Sequence, residues 1–164
     1  HLKMAYTFLL TTRGIPQVYY GTELAFKQGT QGGDGDKRAE MPGGWDGDTR
    51  SVFTQAGRTA QENDMFDYVK KITNWRKTSD AIHHGKLLHY VPESNSYVYF
   101  RYTDNERVMV IMNMNDEPIT LSRQKHIEML RGYSAAENVI TGEKVDISED
   151  FIVTGKTTTV FSLK

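Results

Sequence analysis

The sequence predicts a mixed architecture: a helix–strand–helix segment of α/β type over residues 1–85, followed by an antiparallel β-sandwich over residues 86–164. Three observations carry this. Leu2, Ala5, Tyr6, Leu9 and Leu10 recur at three- and four-residue spacing, the stripe of an amphipathic helix. Ile15 to Tyr20 is then a near-continuous apolar run, as expected of a parallel strand buried on both faces. Beyond Gly85 the chain changes to short strand-like runs with a turn signal between each, the pattern of a sandwich.

Each element has its own signals. No Ser, Thr, Asp or Asn precedes the first stripe to accept from the free amides of its first turn, so that helix reads as cut from a longer sequence. Arg13-Gly14 ends it, with Pro16 shortly beyond. A helix leading into an apolar strand through a short Gly link is the αβ step of an α/β fold. Residues 21–60 hold nine glycines and no sustained period, and a loop of that length inside a domain is usually functional. Asn63 or Asp64 is the expected cap of the next helix, whose apolar face is Met65, Phe66, Val69, Ile72 and Trp75 and which ends near Thr78. Ser79 to His84 is a short helical turn closed by Gly85. Strands are expected over Leu87–Val91, Tyr97–Tyr102, Val108–Asn113 and Ile119–Leu121, then a helical turn over Lys125–Leu130. Val139-Ile140 and Lys144–Ile147 flank a Thr141-Gly142 turn, and Phe151–Val153 with Thr157–Leu163 finish the chain.

Bulk properties exclude several classes. Hydrophobic content of 38% and charged content of 25% over 164 residues describe a globular chain. The net charge of −1 leaves no electrostatic footprint for nucleic acid or an anionic membrane. No apolar run approaches the ~18 to 20 residues of a membrane span. With no cysteine, disulfides and thiolate metal sites are excluded, and the compartment stays open, periplasmic and cytoplasmic both being compatible.

Chemistry concentrates in the loop. Gly32-Gly33-Asp34-Gly35-Asp36-Lys37-Arg38 precedes Met41-Pro42-Gly43-Gly44-Trp45. An Asp and an Arg four residues apart can grip vicinal hydroxyls, the carboxylate accepting and the guanidinium donating, while Trp45 can stack on the apolar face of a pyranose. Set against this, a flexible acidic loop with one Arg is most often solvated surface. A calcium loop beginning at Asp34 fails, because it needs Gly at 39 and Glu at 45 where Ala39 and Trp45 stand. Thr154-Gly155-Lys156-Thr157 lacks the first glycine of a phosphate loop, Asp150 standing there, and reads as a hairpin turn. His83-His84 have no third ligand at sensible spacing.

The segment Gly14-Ile15-Pro16-Gln17-Val18-Tyr19-Tyr20-Gly21-Thr22-Glu23 resembles the eighth-strand segment of the α-amylase family of glycoside hydrolases. His1 to Thr12 is similar to the helix before that strand, Ala60 to Thr78 to the eighth barrel helix, and the region after Gly85 to the family's C-terminal β-sandwich. The resemblance implies the last αβα part of a (β/α)8, or TIM, barrel over 1–85 and a C-terminal sandwich over 86–164. In family members that cleave cyclodextrins, pullulan and maltodextrins, an Asp and an Arg four apart follow the eighth strand and contact glucose; Asp34 and Arg38 occupy those positions. Met-Pro-Gly-Gly-Trp resembles the neopullulanase and cyclomaltodextrinase branch. The resemblance therefore implies substrate contact by Asp34, Arg38 and Trp45 and an α-glucan oligosaccharide as partner; no cofactor and no metal ligand is assigned within this chain. It also implies a retaining mechanism whose catalytic carboxylates all precede residue 1, so that no catalytic residue is assigned here and the chain alone is inactive. Apolar surface at Leu9, Ile15, Val18 and Met65–Trp75, stripped of a barrel, is expected to drive docking on the sandwich or self-association. The alternative is a carbohydrate-binding sandwich with a helical leader, which requires a row of exposed aromatics such as Tyr90, Tyr97, Tyr99 and Tyr102.

Overall fold

The computed structural model describes residues 1–27 and 32–164, which form two compact units: residues 1–16 with 71–164, and residues 17–70. Compactness thus groups the first helix with the β-rich region, a division distinct from a boundary at residue 85.

In the first unit, helix α1 (Leu2–Thr11) buries Met4, Tyr6, Thr7, Leu10 and Thr11. This face is rotated from the expected stripe, and Leu2 and Leu9 are exposed. Threonine can take core positions here because its hydroxyl returns to the helix: Thr7 Oγ1 donates to the Lys3 carbonyl at 2.9 Å and Thr11 Oγ1 to the Thr7 carbonyl at 2.6 Å. Thr11 Oγ1 also lies 2.5 Å from the buried Tyr99 hydroxyl. Phe8 meets the rings of Tyr97 and Tyr99 at 6.4 and 6.1 Å, the latter edge-on.

Helix α2 (Ala60–Arg76) crosses from one unit into the other, and the short α3 (Asp80–His83) follows it. Ser79 caps α3, accepting from the Ile82 amide, while the Glu106 carboxylate accepts from Ser79 Oγ at 2.7 Å and the Ala81 amide at 2.8 Å.

Eight strands come next: β1 (Lys86–His89), β2 (Ser96–Tyr102), β3 (Arg107–Asn113), β4 (Ile119–Leu121), β5 (Ala135–Asn138), β6 (Lys144–Asp146), β7 (Phe151–Val153) and β8 (Thr157–Leu163). A single-turn helix, α4 (Ile127–Leu130), lies between β4 and β5. A six-stranded antiparallel sheet runs in the order β1-β2-β3-β8-β5-β6, and β4 pairs with β7 in a second sheet. One core joins the two: Val98, Phe100, Met109, Ile111, Phe161 and Leu163 from the large sheet pack with Leu121, Phe151 and Val153 from the small one, and with Met129 and Leu130 of α4. The expected antiparallel region is present as two sheets facing across apolar side chains.

Two expectations in this region are corrected. The first strand around the Thr141-Gly142 turn is Ala135–Asn138, not Val139-Ile140; pairing with β8, rather than β-branched content, decides it. The Thr154–Thr157 turn is not a hairpin, since β7 and β8 belong to different sheets. It is a tight crossing pinned from outside: the Lys156 amide donates to the Asn115 carbonyl at 2.8 Å, and a Cβ on Gly155 would sit 2.1 Å from the Asp116 carbonyl oxygen.

The buried strand expected over Ile15–Tyr20 does not form. Ile15 is 99% exposed, Val18, Tyr19 and Tyr20 are exposed, and no strand precedes β1 among the described residues. A parallel strand exists only where a neighbour satisfies its amides and carbonyls. No described residue supplies one here. Among the described residues the apolar run has no strand partner.

Helix α2 starts earlier than expected. Its cap is Thr59, not Asn63 or Asp64: Thr59 Oγ1 accepts from the Glu62 amide at 3.2 Å, and the Glu62 carboxylate accepts from the Thr59 amide at 2.7 Å. This reciprocal capping box is spelled Thr-Ala-Gln-Glu in the sequence. Asn63 instead donates to the Gln55 carbonyl at 3.1 Å. Met65, Val69 and Ile72 are buried, while Phe66 is half-buried beneath the Arg58 guanidinium, 3.8 Å from the ring centre.

Candidate functional site

The candidate site lies in the second unit, on the loop between the 3₁₀ turn Thr22–Leu24 and helix α2. Gln28, Gly29, Thr30 and Gln31 fall outside the described residues. Asp34 precedes and Arg38 ends a second 3₁₀ turn, Asp36–Arg38, closed by the Arg38 amide donating to the Gly35 carbonyl at 3.0 Å. Asp34 is 82% exposed at its side chain and 3.7 Å from the Lys37 ammonium, an ion pair of little energetic weight at that exposure. Arg38 is also exposed. The Tyr20 hydroxyl donates to the Ala39 carbonyl at 3.2 Å, linking the 15–20 run to this turn.

The stretch from Pro42 to Gly57 is more tightly built. Asp48 Oδ2 accepts from the Gly43 amide at 2.6 Å and the Trp45 amide at 3.0 Å. These amide donors hold the Asp48 carboxyl below the usual carboxylate range, with the Trp45 amide the largest influence. The Val52 amide donates to the Pro42 carbonyl at 2.9 Å, and Val52 is buried. Gly43 sits at φ +102°, where a Cβ would fall 2.3 Å from Ser51 Oγ, so only glycine fits.

The same stretch is tied to α2. Arg50 donates to Glu62 through both terminal nitrogens, at 2.7 and 2.9 Å, and to the Gly57 carbonyl at 3.1 Å. The Arg50 hydrogen bonds, followed by the Thr59 amide, pull the largely buried Glu62 carboxyl down to about 2. Next to this pair, Ala25, Phe26, Lys27, Thr59 and Gln61 line a hollow of about 270 Å³. Sequence reading missed Asp48, Arg50 and Glu62; the Thr59–Glu62 box was the signal that could have found the last.

All three predicted contact residues therefore lie on one loop. Trp45 is 66% exposed on a pinned backbone, and Asp34 and Arg38 are exposed at the neighbouring turn. Among the described residues no cluster of three or more His, Asp or Glu can hold a metal ion, and no helix is long and apolar enough to cross a membrane. The His83 and His84 rings lie 6.0 Å apart, tilted by 42°, with His84 Nδ1 2.8 Å from Asp80 Oδ1.

The tyrosine row required by a sugar-binding sandwich does not assemble. Tyr99 is fully buried, Tyr97 packs on it at 5.3 Å, and Tyr90 and Tyr102 are half-buried against the core.

A two-sheet antiparallel domain thus follows a glycine-rich loop and a long helix. Residues 87–162 match the family described as the cyclo-malto-dextrinase C-terminal domain. A cyclomaltodextrin glucanotransferase of Niallia circulans is 33% identical over 114 residues, covering 70% of this chain and 13% of that enzyme. A cyclomaltodextrinase of Geobacillus thermopakistaniensis is 30% identical over 118 residues, covering 71% of this chain and 17% of that enzyme. The alpha-amylase of Geobacillus thermoleovorans, solved with acarbose, matches with a TM-score of 0.73 at 23% identity, over 99% of this chain and 33% of that one. The chain thus spans 13% and 17% of these two curated relatives.

Proposed function

We propose that this chain is the C-terminal part of an α-amylase-family glycoside hydrolase acting on α-glucans such as cyclodextrins, pullulan and maltodextrins. The observation that carries the reading is the match of residues 87–162 to a domain named for cyclodextrin-cleaving enzymes. Residues 1–85 then close a (β/α)8 barrel, with Ile15–Tyr20 as the eighth strand that pairs only when the rest of the barrel is present, and residues 86–164 form the domain behind it. The exposure of that apolar run supports this reading, since a strand made for two neighbours has none here.

In the intact enzyme Asp34 accepts from vicinal glucose hydroxyls, Arg38 donates to them, and Trp45 stacks on a ring. Cleavage with retention requires two carboxyl groups about 5 to 5.5 Å apart across the scissile bond. We assign neither to this chain; both belong to the preceding barrel strands, so the isolated chain is inactive. The test is direct. The purified 164-residue chain is incubated with pullulan, β-cyclodextrin and maltodextrin, in parallel with a protein extended upstream by a barrel. Reducing sugar is expected only from the extended protein, with KM raised at least about tenfold by Asp34→Ala or Arg38→Ala. Sugar release by the short chain, or an inert extended protein, overturns the proposal.

A further inference from the structure

We infer that Asp48 is a positioning residue that holds Trp45 out as a preformed stacking platform for the apolar face of a pyranose. The inference rests on the α-glucan reading for its ligand, but not for its geometry. Trp45 has no aromatic partner among the described residues and leaves two-thirds of its surface in water, at 66% exposure. A large apolar ring held in water is unfavourable unless something covers it. Its backbone is nonetheless among the most restrained parts of the loop. One carboxylate oxygen of Asp48 collects the amides on both sides of Gly44, at 2.6 and 3.0 Å, and the Asp48 amide closes the turn on the Trp45 carbonyl at 3.3 Å.

The base of that turn is locked in two further ways. Gly43 and Gly57 approach Ser51 so closely that a Cβ on either would lie 2.3 or 2.0 Å from it. Arg50 fastens the far side to Gly57 and Glu62 at 3.1 and 2.7 Å. A turn whose backbone is already held has less freedom left to lose on meeting a sugar, which is where preorganisation strengthens binding. The neighbouring Asp34 and Arg38 are not held in this way. The loop therefore presents an exposed indole on a hydrogen-bonded turn beside an exposed Asp and Arg.

The chain has two tryptophans, Trp45 and Trp75, so a Trp75→Phe background makes Trp45 the only indole emitter. Time-resolved anisotropy of Trp45 without sugar tests the positioning. Asp48→Ala is expected to add a fast, large-amplitude motion. Asp48→Asn, which keeps an acceptor oxygen, is expected to behave as the parent, and Asp48→Ser, too short to reach both amides, to behave as the alanine variant. An unchanged decay in Asp48→Ala and Asp48→Ser overturns the inference. Titration with maltohexaose is the second arm: Trp45 emission shifts in the parent, and Kd rises about five- to tenfold in Asp48→Ala. If maltohexaose leaves Trp45 emission unmoved in the parent, the stacking role of Trp45 falls, while the anisotropy result still decides the positioning role of Asp48.

Discussion

The residue that organises most backbone around itself is Arg101. It is almost fully buried, and its guanidinium donates to the Thr11, Thr12, Ile82 and Gly85 carbonyls at 3.1, 2.8, 2.8 and 3.0 Å. Carbonyls left over at the ends of α1 and α3 are what a buried cation needs, because the helix C-terminus carries partial negative charge. Arg76 adds a bond to the Leu10 carbonyl. Arg101→Met is therefore expected to cost about 2–4 kcal/mol in a urea titration, since it orphans acceptors rather than merely removing a charge. Arg50 and Glu62 form the other strong polar pair. Because the Glu62 carboxyl is lowered from 4.5 to about 2, its contribution is complete above 4.5 and is lost as pH falls through about 2. Glu62→Gln should cost about 1–3 kcal/mol at neutral pH and flatten that acid limb of the stability curve. His126 acts at a higher pH. Burial lowers its pKa from 6.5, so the fold holds it neutral and stability declines as pH falls below 6.5. His126→Gln should remove that decline in a pH series of melting temperatures.

At the scale of elements, start signals matter as much as periodicity. Thr59→Ala should cost about 1 kcal/mol and fray the first turn of α2 in hydrogen exchange, while Thr59→Ser should be close to neutral. Gly155→Ala should cost about 1–3 kcal/mol by thermal melting, because its Cβ would press on the Asp116 carbonyl oxygen, which belongs to backbone that cannot swing aside. Much of this level was legible beforehand. Ile119–Leu121, Phe151–Val153 and Thr157–Leu163 emerge at the expected bounds, because β-branched and aromatic runs between turn residues leave few other options. β5 was misplaced because Ala-Ala-Glu-Asn has no strand propensity, and its pairing with β8 is a tertiary decision. The buried face of α1 was misjudged for a related reason: a threonine that bonds its own helix counts as polar in a sequence and as apolar in a core. In the loop, Asp34, Arg38 and Trp45 were visible as residue types. The Asp48 clamp was not, since side-chain-to-amide bonds within a turn leave no periodic trace.

For the molecule as a whole, the apolar run Ile15, Val18, Tyr19 and Tyr20 is the surface most in need of cover. We expect the isolated chain to self-associate through it, with light-scattering mass rising above 18.7 kDa at high concentration. Ile15→Lys with Val18→Lys should return the mass to that of a single copy; a strictly monomeric parent would contradict the expectation. The bonds that finish α1 lead to one last consequence. Arg101 reaches Thr11 across 90 positions of chain, so the opening helix gets its lasting closure only after strand β2 has been made. Until that arginine is in place, the end of α1 lacks the donors that close it. A chain stopped at residue 85 should therefore show rapid amide exchange throughout α1, whatever helical content its sequence promises.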